Sequence, residues 1–465
     1  MATQIGPAPR WLIVALLAMI AFSETLGRAS RTVAPDFYQL WAVSAAVRAD
    51  GVSLGSPYKD SRGYWAILTR QAETSADPRR KAVHKLWPNL SPVASPFLFV
   101  LFALLPADYT TAATLFASLQ AVMFLAAVAL LGHLFRFDRF VLACLALILV
   151  RAYEPLASDM RLGNIAAFQF IAVTGLLAVA LANRVSPRRA LGAVLVAGLA
   201  LVAFAKLNLA LVVVLMALQF LITSNRKAIV AAAVAAASAC IVFALVPCGY
   251  FHGCGVWVDW YTQVVGPGKE IAGRSVEQGN YSTTRILADL FAVEATGPVV
   301  AVVTILVGSL LAAAYRAGRG WKGALAGALR DPGAAASIGI TATMAASPLM
   351  WLHYYVWSLI PAFWLMRAGG ADARVAALGA AAVLLSSGAL NVLLALAGLV
   401  SLVPAVMAAS WVPLWAGVVL QITRSGDTED RPEAADSRDV PAARAGGRQR
   451  RLRRSIRVAS AGGNS

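Results

Sequence analysis

The chain has 465 residues, 59% of them hydrophobic and 14% charged, and its mean hydropathy is +0.69. Soluble domains have about 45–50% apolar and about 25% charged residues, so the composition excludes a single water-soluble core. The net charge of +17 does not indicate nucleic-acid binding, because the basic residues lie in the connections and in a C-terminal tail without aromatic residues. This distribution is typical of membrane proteins with basic cytoplasmic segments near anionic lipids.

Apolar segments of membrane-spanning length recur along residues 1–423. The spans should be helical, because backbone polar groups in lipid must be bonded within the segment and the alternation of a membrane β-barrel is missing. We predict an all-α, polytopic transmembrane bundle of about 10–13 spans. The predicted spans are approximately 11–27, 92–106, 109–135, 139–151, 165–183, 189–205, 208–223, 228–247, 296–315, 334–350, 353–368, 372–391 and 400–423. The first span lacks a clear cleavage site, so we expect it to be retained.

Three other regions complete the predicted organisation. The first loop, about 28–91, contains two candidate interfacial helices near 37–49 and 63–74, and the second large loop covers about 248–295. The tail, 424–465, is predicted to be disordered and cytoplasmic. Basic clusters at 184–189 and 226–227 indicate cytoplasmic connections, which places the first loop outside. Cys248 and Cys254 in the second loop are compatible with a disulfide in an oxidising compartment or with two thiols.

Two charged residues interrupt this apolar pattern near the ends of predicted spans. Asp36 closely follows the first span, where a carboxylate is either a solvated charge or helix cap, or a general base. Lys206 lies between two apolar runs, so it either faces a polar cavity or extends to the headgroup region.

Weaker signals lie further along the chain. His353 follows a helix break at Pro348, which suits either a polar headgroup pocket or an interfacial aromatic belt. Asn164 opens another span, where free backbone N–H groups attract phosphate, although an ordinary basic flank with a turn glycine has the same pattern. Arg285 is compatible with a fixed positive charge at a site or with a solvated loop residue.

Taken in order, these segments resemble the membrane-embedded glycosyltransferases of the GT-C superfamily, and most closely glycosyltransferase family 87, the polyprenyl-phosphate-dependent mannosyltransferases. No single motif is specific, but their order and spacing over about residues 10–370 are. The motifs are Asp36-Phe37-Tyr38 after the first span, Ser56-Pro57-Tyr58, Trp87-Pro88-Asn89-Leu90-Ser91-Pro92, Leu162-Gly163-Asn164, Lys206, Gly279-Asn280-Tyr281-Ser282, and Ser347 to His353. Four positions depart from the family pattern: the glutamine beside Asn164 is missing, Leu209 replaces a common proline, Met350 replaces a serine, and Tyr354 replaces a second histidine.

The resemblance implies an inverting transfer of a sugar, with mannose expected, from a polyprenyl-phosphate donor to a lipid or glycan acceptor. The reaction would occur at the outer face of a bacterial plasma (inner) membrane and would need no metal or other cofactor. Asp36 would be the general base, and Lys206, His353 and Arg285 would bind the donor phosphate. The expected substrate-binding residues are Tyr38, Tyr58, Asn164, Asn280, Ser282, Trp351 and Tyr354.

Two other classes of function share parts of this pattern. A transporter or flippase for lipid-linked saccharides would predict inverted repeats and helices broken at corresponding positions, and neither is visible in the sequence. A polysaccharide polymerase or ligase would also use lipid-linked donors at the outer face, and Arg28, Arg31 and Arg285 in the outer loops are compatible with one.

Overall fold

The computed structural model describes residues 7–29, 31–32, 34–50, 55–87, 89–186, 188–266, 276, 279–317, 321–368 and 372–429. Within these ranges the chain is all-α, without a β-strand, as the sequence predicts. Pro88 and tail residues 430–465 lie outside the described residues.

The helices fall into an N-terminal and a C-terminal set. The N-terminal helices are α1 (Pro7–Ala29), α2 (Pro35–Asp50), α3 (Ser61–Thr74), α4 (Pro78–Lys85), α5 (Pro96–Phe102), α6 (Tyr109–Leu134), α7 (Arg139–Ala152), α8 (Glu154–Leu162), α9 (Ala166–Val185), α10 (Arg189–Ala205) and α11 (Ala210–Thr223). The C-terminal helices are α12 (Arg226–Tyr250), α13 (Gly255–Trp260), α14 (Thr283–Phe291), α15 (Thr296–Arg316), α16 (Trp321–Leu329), α17 (Pro332–Ala346), α18 (Leu359–Ala368), α19 (Ala373–Leu385), α20 (Gly388–Leu396), α21 (Val403–Ala408) and α22 (Trp411–Glu429). Short 3₁₀ segments cover Leu207–Leu209, Leu352–Ser358 and Val400–Leu402, and a π-helical turn covers Tyr261–Val265.

Five helical segments of the described residues are long and apolar enough to cross a membrane. They are Tyr109–Leu134, Ala166–Val185, Arg226–Tyr250, Thr296–Arg316 and Val400–Arg424. Shorter apolar helices accompany them at Leu16–Gly27, Arg189–Ala205, Leu207–Thr223 and Ala373–Leu385. The predicted span 92–106 contains only α5, whose 7 residues extend about 10 Å and cannot cross a bilayer alone.

The spanning helices pack against one another in the bundle core, where α6 contacts α9, α10 contacts α12, and α11 contacts α17. Two breaks in this bundle shape the region of interest. The chain leaves helical geometry at Lys206, between α10 and α11, and α17 ends at Ala346, just before Ser347 and Pro348. Pro348 cannot continue α17, because its ring disfavours helical geometry in the preceding residue.

The first loop folds onto the bundle with a core of its own. The two expected short helices are present as α2 and α3. Phe37 and Trp41 of α2 are fully buried and contact Tyr109 of α6. Asp60 and Asp77 cap α3 and α4 by accepting hydrogen bonds from backbone N–H groups of the first turn. This packing fixes α2, and therefore Asp36 in its first turn, against the end of the bundle.

The second loop is tied to the first. Cys248 and Cys254 form a disulfide at the end of α12, so of the two alternatives left open by the sequence the structure has the bonded pair. Asp259, which is 4% exposed, pairs with Lys59 of the first loop at 2.9 Å. The ion pair places the two loops at the same end of the molecule.

Candidate active site

A tight turn after α8 brings the first loop and the bundle together. Gly163 ends α8 in the left-handed conformation, with φ of 69°. A Cβ atom at this position would lie 2.5 Å from Cβ of Phe37. Glycine meets both requirements here, because it adopts positive φ without strain and leaves room for the neighbouring helix. The next residue, Asn164, consequently faces Asp36.

Asn164 bridges two charged residues that are distant in the sequence. Its Nδ2 donates to Oδ2 of Asp36 at 2.7 Å, and its Oδ1 accepts from Nζ of Lys206 at 3.3 Å. Oδ1 also accepts from the backbone N–H of Ile165 at 2.8 Å, which fixes the orientation of the amide. The structure therefore joins a carboxylate and an ammonium group through one oriented amide.

Lys206 reaches this bridge because of the break in the bundle. Its backbone is extended, with φ of −163°, so the side chain leaves the line of α10 and α11. The ammonium lies over the ring of Tyr354, 4.6 Å from the ring centroid, which is a favourable cation–π geometry. Of the two alternatives for this lysine, the structure shows the one in which it faces a cavity and a polar partner, Asn164.

These residues line a cavity of about 190 Å³. Asp36, Asn164, Lys206, Trp351 and Tyr354, all selected from the sequence, lie on its wall. The remaining lining residues are Gln39, Leu40, Trp87, Ser91, Val93, Ala94, Leu98, Phe99, Ile165 and Leu349. A carboxylate, an amide, a cation and aromatic rings thus share one concave site, as binding sites for small polar groups commonly do.

A second, almost entirely apolar groove of about 270 Å³ adjoins the cavity. The two share Leu98 and Ile165 in their walls. The groove runs between α5, α6, α9 and α10, and its other lining residues include Leu101, Phe102, Phe116, Phe168 and Leu201. Leu101 and Leu201 are each 37% exposed, so the groove opens at the outer surface of the bundle.

Asn280 and Ser282 support the cavity wall without lining it. Asn280 is fully buried; its Oδ1 accepts from the backbone N–H of Met350 at 3.0 Å, and its Nδ2 donates to the carbonyl of Pro348 at 2.9 Å. Ser282 caps α14 and donates to the carbonyl of Ser347. These contacts hold the segment after α17 in place, and with it the Trp351 ring that lines the cavity.

Tyr38 and Tyr58 lie in the core of the first loop, away from the cavity wall. The Tyr38 hydroxyl is 2.9 Å from Nδ1 of His84, and burial raises the pKa of Tyr38 to about 12. The Tyr58 hydroxyl donates to the carbonyl of Ala94 at 2.5 Å. The Tyr38 and Tyr58 hydroxyl groups thus both contact other residues of the protein. The partner of Tyr58, Ala94, lines the cavity.

His353 and Arg285 also lie off the cavity wall. His353 is 1% exposed, and its ring packs edge-on against Tyr354 with centroids 4.6 Å apart. Neither of its ring nitrogens has a hydrogen-bond partner among the described residues. Arg285 pairs with Asp289 one turn along α14 at 2.5 Å. The structure therefore brings Lys206, but not Arg285, to the Asp36 side of the cavity.

Sequence reasoning missed a buried polar pair beneath the Gly163–Asn164 turn. Gln120 of α6 and Asp159 of α8 are both 0% exposed and are hydrogen-bonded to each other at 3.2 Å. Gln120 is the only side-chain amide in the 26-residue apolar helix α6, a pattern that could have flagged it. No pattern in the sequence singles out Asp159, which lies in the stretch that leads to Gly163.

Comparison with known proteins identifies the family to which the chain belongs. The profile of glycosyltransferase family 87 matches residues 90–348, which is more than half of the chain and includes Asn164, Lys206 and the Gly279–Pro348 region. Among curated proteins and among solved structures, no match to the chain was found. The chain is a multi-pass membrane protein that belongs to glycosyltransferase family 87.

Proposed function

We propose that the protein transfers a sugar, with mannose as the first candidate, from a polyprenyl-phosphate donor to a lipid or glycan acceptor at the outer face of the plasma membrane. The observation that carries this proposal is the Asp36–Asn164–Lys206 bridge in the wall of a cavity that adjoins an apolar groove. Family membership supports the sugar transfer itself. The choice of mannose rests on the resemblance of the sequence motifs to mannosyltransferases.

In the proposed reaction Asp36 is the general base. It accepts the proton of the acceptor hydroxyl as that oxygen attacks the anomeric carbon of the donor sugar. The bond between the anomeric carbon and the phosphate oxygen breaks on the opposite face, which inverts the anomeric centre and releases polyprenyl phosphate. A positioned general base contributes about 10²–10⁴-fold to such a step.

Lys206 is proposed to balance the charge of the leaving phosphate. Negative charge grows on the phosphate oxygen as the glycosidic bond breaks, and a cation held nearby in a site of low polarity stabilises that charge. The cation–π contact with Tyr354 and the hydrogen bond to Asn164 hold the ammonium in place before the substrate arrives. The same amide bonds Asp36, so the base and the cation are positioned together.

The apolar groove supports a lipid-linked donor. Apart from Gln169, its walls are aliphatic and aromatic side chains, and it meets the cavity at Leu98 and Ile165. A prenyl chain gains about 0.8 kcal/mol for each CH₂ group buried in such an environment. A donor of this kind would keep its chain in the groove and its phosphate near Lys206.

The general-base role is tested with purified protein and polyprenyl-phosphate mannose. Asp36→Asn should reduce the transfer rate by at least about 100-fold, because the amide cannot accept the proton. Asp60→Asn is the matched control in the same loop, since asparagine caps a helix as well as aspartate and Asp60 lies outside the cavity. Wild-type activity in Asp36→Asn, with both variants folded, would rule out the proposed mechanism.

The proposed sidedness is tested by labelling single cysteines in cells. The 25 residues of α12 extend about 37 Å, enough to place Arg226 and the disulfide on opposite sides of a membrane. A membrane-impermeant maleimide should label Lys59→Cys, beside the disulfide loop, from outside the cell. It should label Arg226→Cys only after the membrane is permeabilised. The reverse pattern would contradict an outer-face site.

A further inference from the structure

We propose that Gln120 and Asp159 are positioning residues for the reaction, because they hold the Asn164 amide in the one orientation that joins Asp36 to Lys206. This inference rests on the proposed function of the same site. Neither residue lines the cavity, so neither is expected to touch a substrate.

A set of hydrogen bonds holds the backbone of the turn from beneath. Nε2 of Gln120 lies 2.6 Å from the carbonyl oxygen of Asn164 and 3.1 Å from that of Asp159. The backbone N–H of Asn164 donates to the carbonyl of Asp159 at 3.1 Å. The peptide groups on both sides of the Asn164 Cα atom are therefore held, and the side chain has one direction in which to leave the backbone.

Asp159 also holds the start of α9. The two carboxylate oxygens of Asp159 accept from the backbone N–H groups of Ala166 and Ala167 at 3.1 and 3.0 Å. These are N–H groups that an α-helix leaves without an internal partner, and a carboxylate stabilises them well. Asp159 thus ties the end of α8 to the start of α9, with Asn164 fixed between them.

A reversed orientation of the Asn164 side-chain amide would be unfavourable. If the Asn164 amide rotated by half a turn, its oxygen would face the Asp36 carboxylate and its NH₂ group would face the Lys206 ammonium. Both contacts would be repulsive, and the Ile165 N–H would lose its acceptor. A firmly held backbone keeps the amide within reach of both charged groups and excludes intermediate positions.

The hydrogen-bonding capacity of Gln120 is only partly satisfied. Its Oε1 is buried and has no hydrogen-bond partner among the described residues. An unpaired buried acceptor costs about 1–3 kcal/mol, and the contacts of Nε2 beneath the turn must offset that cost. A requirement for the Nε2 donor at the Asn164 carbonyl explains why glutamine occupies the position.

Gln120→Met tests the role of the donor while keeping the length of the side chain. We expect kcat to fall about 10–100-fold and KM for the donor to change by less than about threefold, because Lys206 keeps its contact with Tyr354. The acid limb of the pH–rate profile should move to higher pH, because the Asp36 carboxylate loses a well-placed donor. A general loss of folded protein would lower the rate without moving that limb.

Gln120→Glu is the conservative variant. Surrounded by oxygen acceptors, the new carboxyl group should remain protonated near neutral pH and donate to the Asn164 carbonyl in place of the amide. It should therefore recover most of the activity that Gln120→Met loses. Its activity should fall again at high pH, where the new carboxyl group ionises and repels the carbonyl oxygens.

Gln219→Met is the matched control. Gln219 is 2% exposed, and its Nε2 donates at 3.2 Å to Thr223 in the same helix. This substitution should leave kcat and the pH profile unchanged. Equal effects of Gln120→Met and Gln219→Met, or a normal kcat and pH profile in folded Gln120→Met, would overturn the positioning role.

A readout that does not need the donor separates this inference from the proposed function. The rate at which acetic anhydride modifies Lys206, followed by mass spectrometry, should rise at least about threefold in Gln120→Met, because a loosened Asn164 no longer accepts a hydrogen bond from the ammonium. Gln219→Met should show the wild-type rate. If wild-type protein fails to transfer sugar but this difference is found, the proposed function fails and the positioning role stands. An unchanged rate in Gln120→Met would overturn the positioning role whatever the enzyme assay shows.

Discussion

Replacement of Gly163 by alanine should separate the first loop from the bundle at the point where the site is assembled. The added Cβ atom would lie 2.5 Å from Cβ of Phe37 and 3.0 Å from Cβ of Ala34. Ordinary contacts between such atoms begin near 3.4 Å. The turn and α2 must therefore move apart by about 1 Å, and Asp36 lies between the two contacted residues.

The magnitude of the effect follows from this displacement. The left-handed conformation of a non-glycine residue costs about 1–2 kcal/mol, and overpacking costs about 1–3 kcal/mol more. A misplacement of about 1 Å at a catalytic group can reduce a rate about 100-fold. We therefore expect Gly163→Ala to lose about 2–5 kcal/mol of stability and to reduce kcat about 10–100-fold.

Gly175→Ala is the control, since Gly175 lies in the interior of α9 with nothing within 4 Å of its would-be Cβ. The assays are sugar transfer and thermal unfolding of detergent-purified protein. Gly175→Ala should match wild type in both. Wild-type kcat and unfolding temperature in Gly163→Ala would refute the argument that the close approach of this turn to α2 positions the base.

Two further predictions concern single ionisable groups. Lys206→Met should reduce kcat/KM for the donor about 100–1,000-fold, and Lys206→Arg should recover part of the loss by restoring the charge; kcat/KM of Lys206→Met within threefold of wild type would contradict the phosphate role. Burial, and then repulsion from Arg80, lowers the pKa of His84. The ring therefore takes up a proton more readily when the chain is unfolded. The stability that the neutral ring contributes is complete above its ordinary pKa and is lost as the pH falls. The unfolding temperature should therefore drop between pH 7.5 and 5.5, and an equal drop in His84→Gln would contradict this explanation.

The predicted residues that meet in the cavity wall include two that interrupt a strong pattern. Asp36 follows the first span, and Lys206 interrupts two apolar runs, so both could be recognised as exceptions to membrane composition. Their meeting at Asn164 could be expected only from the order of the family motifs. Hydropathy alone contains no information on which helix ends converge.

The positions of the other predicted residues, and of Gln120, depend on tertiary packing. Tyr38 and Tyr58 belong to motifs near the site, but the first loop has its own core and buries both. Asn280 holds the backbone that carries Trp351, a role that follows from the fold and not from its side-chain chemistry. The pairing of Gln120 with Asp159 cannot be predicted from the sequence, because the two residues are 39 positions apart.

With the lipid-linked donor proposed above, the apolar groove beside the cavity would determine which donor concentration governs the reaction rate. A donor whose chain enters between α5 and α10 from the bundle surface would be supplied by diffusion within the bilayer plane. Its effective concentration is then a mole fraction among lipids, and the volume of the surrounding solution does not enter. Under the proposed function, diluting the donor with inert lipid at constant bulk concentration should slow the reaction as strongly as removing donor. Saturation is therefore a property of the membrane in which the protein resides.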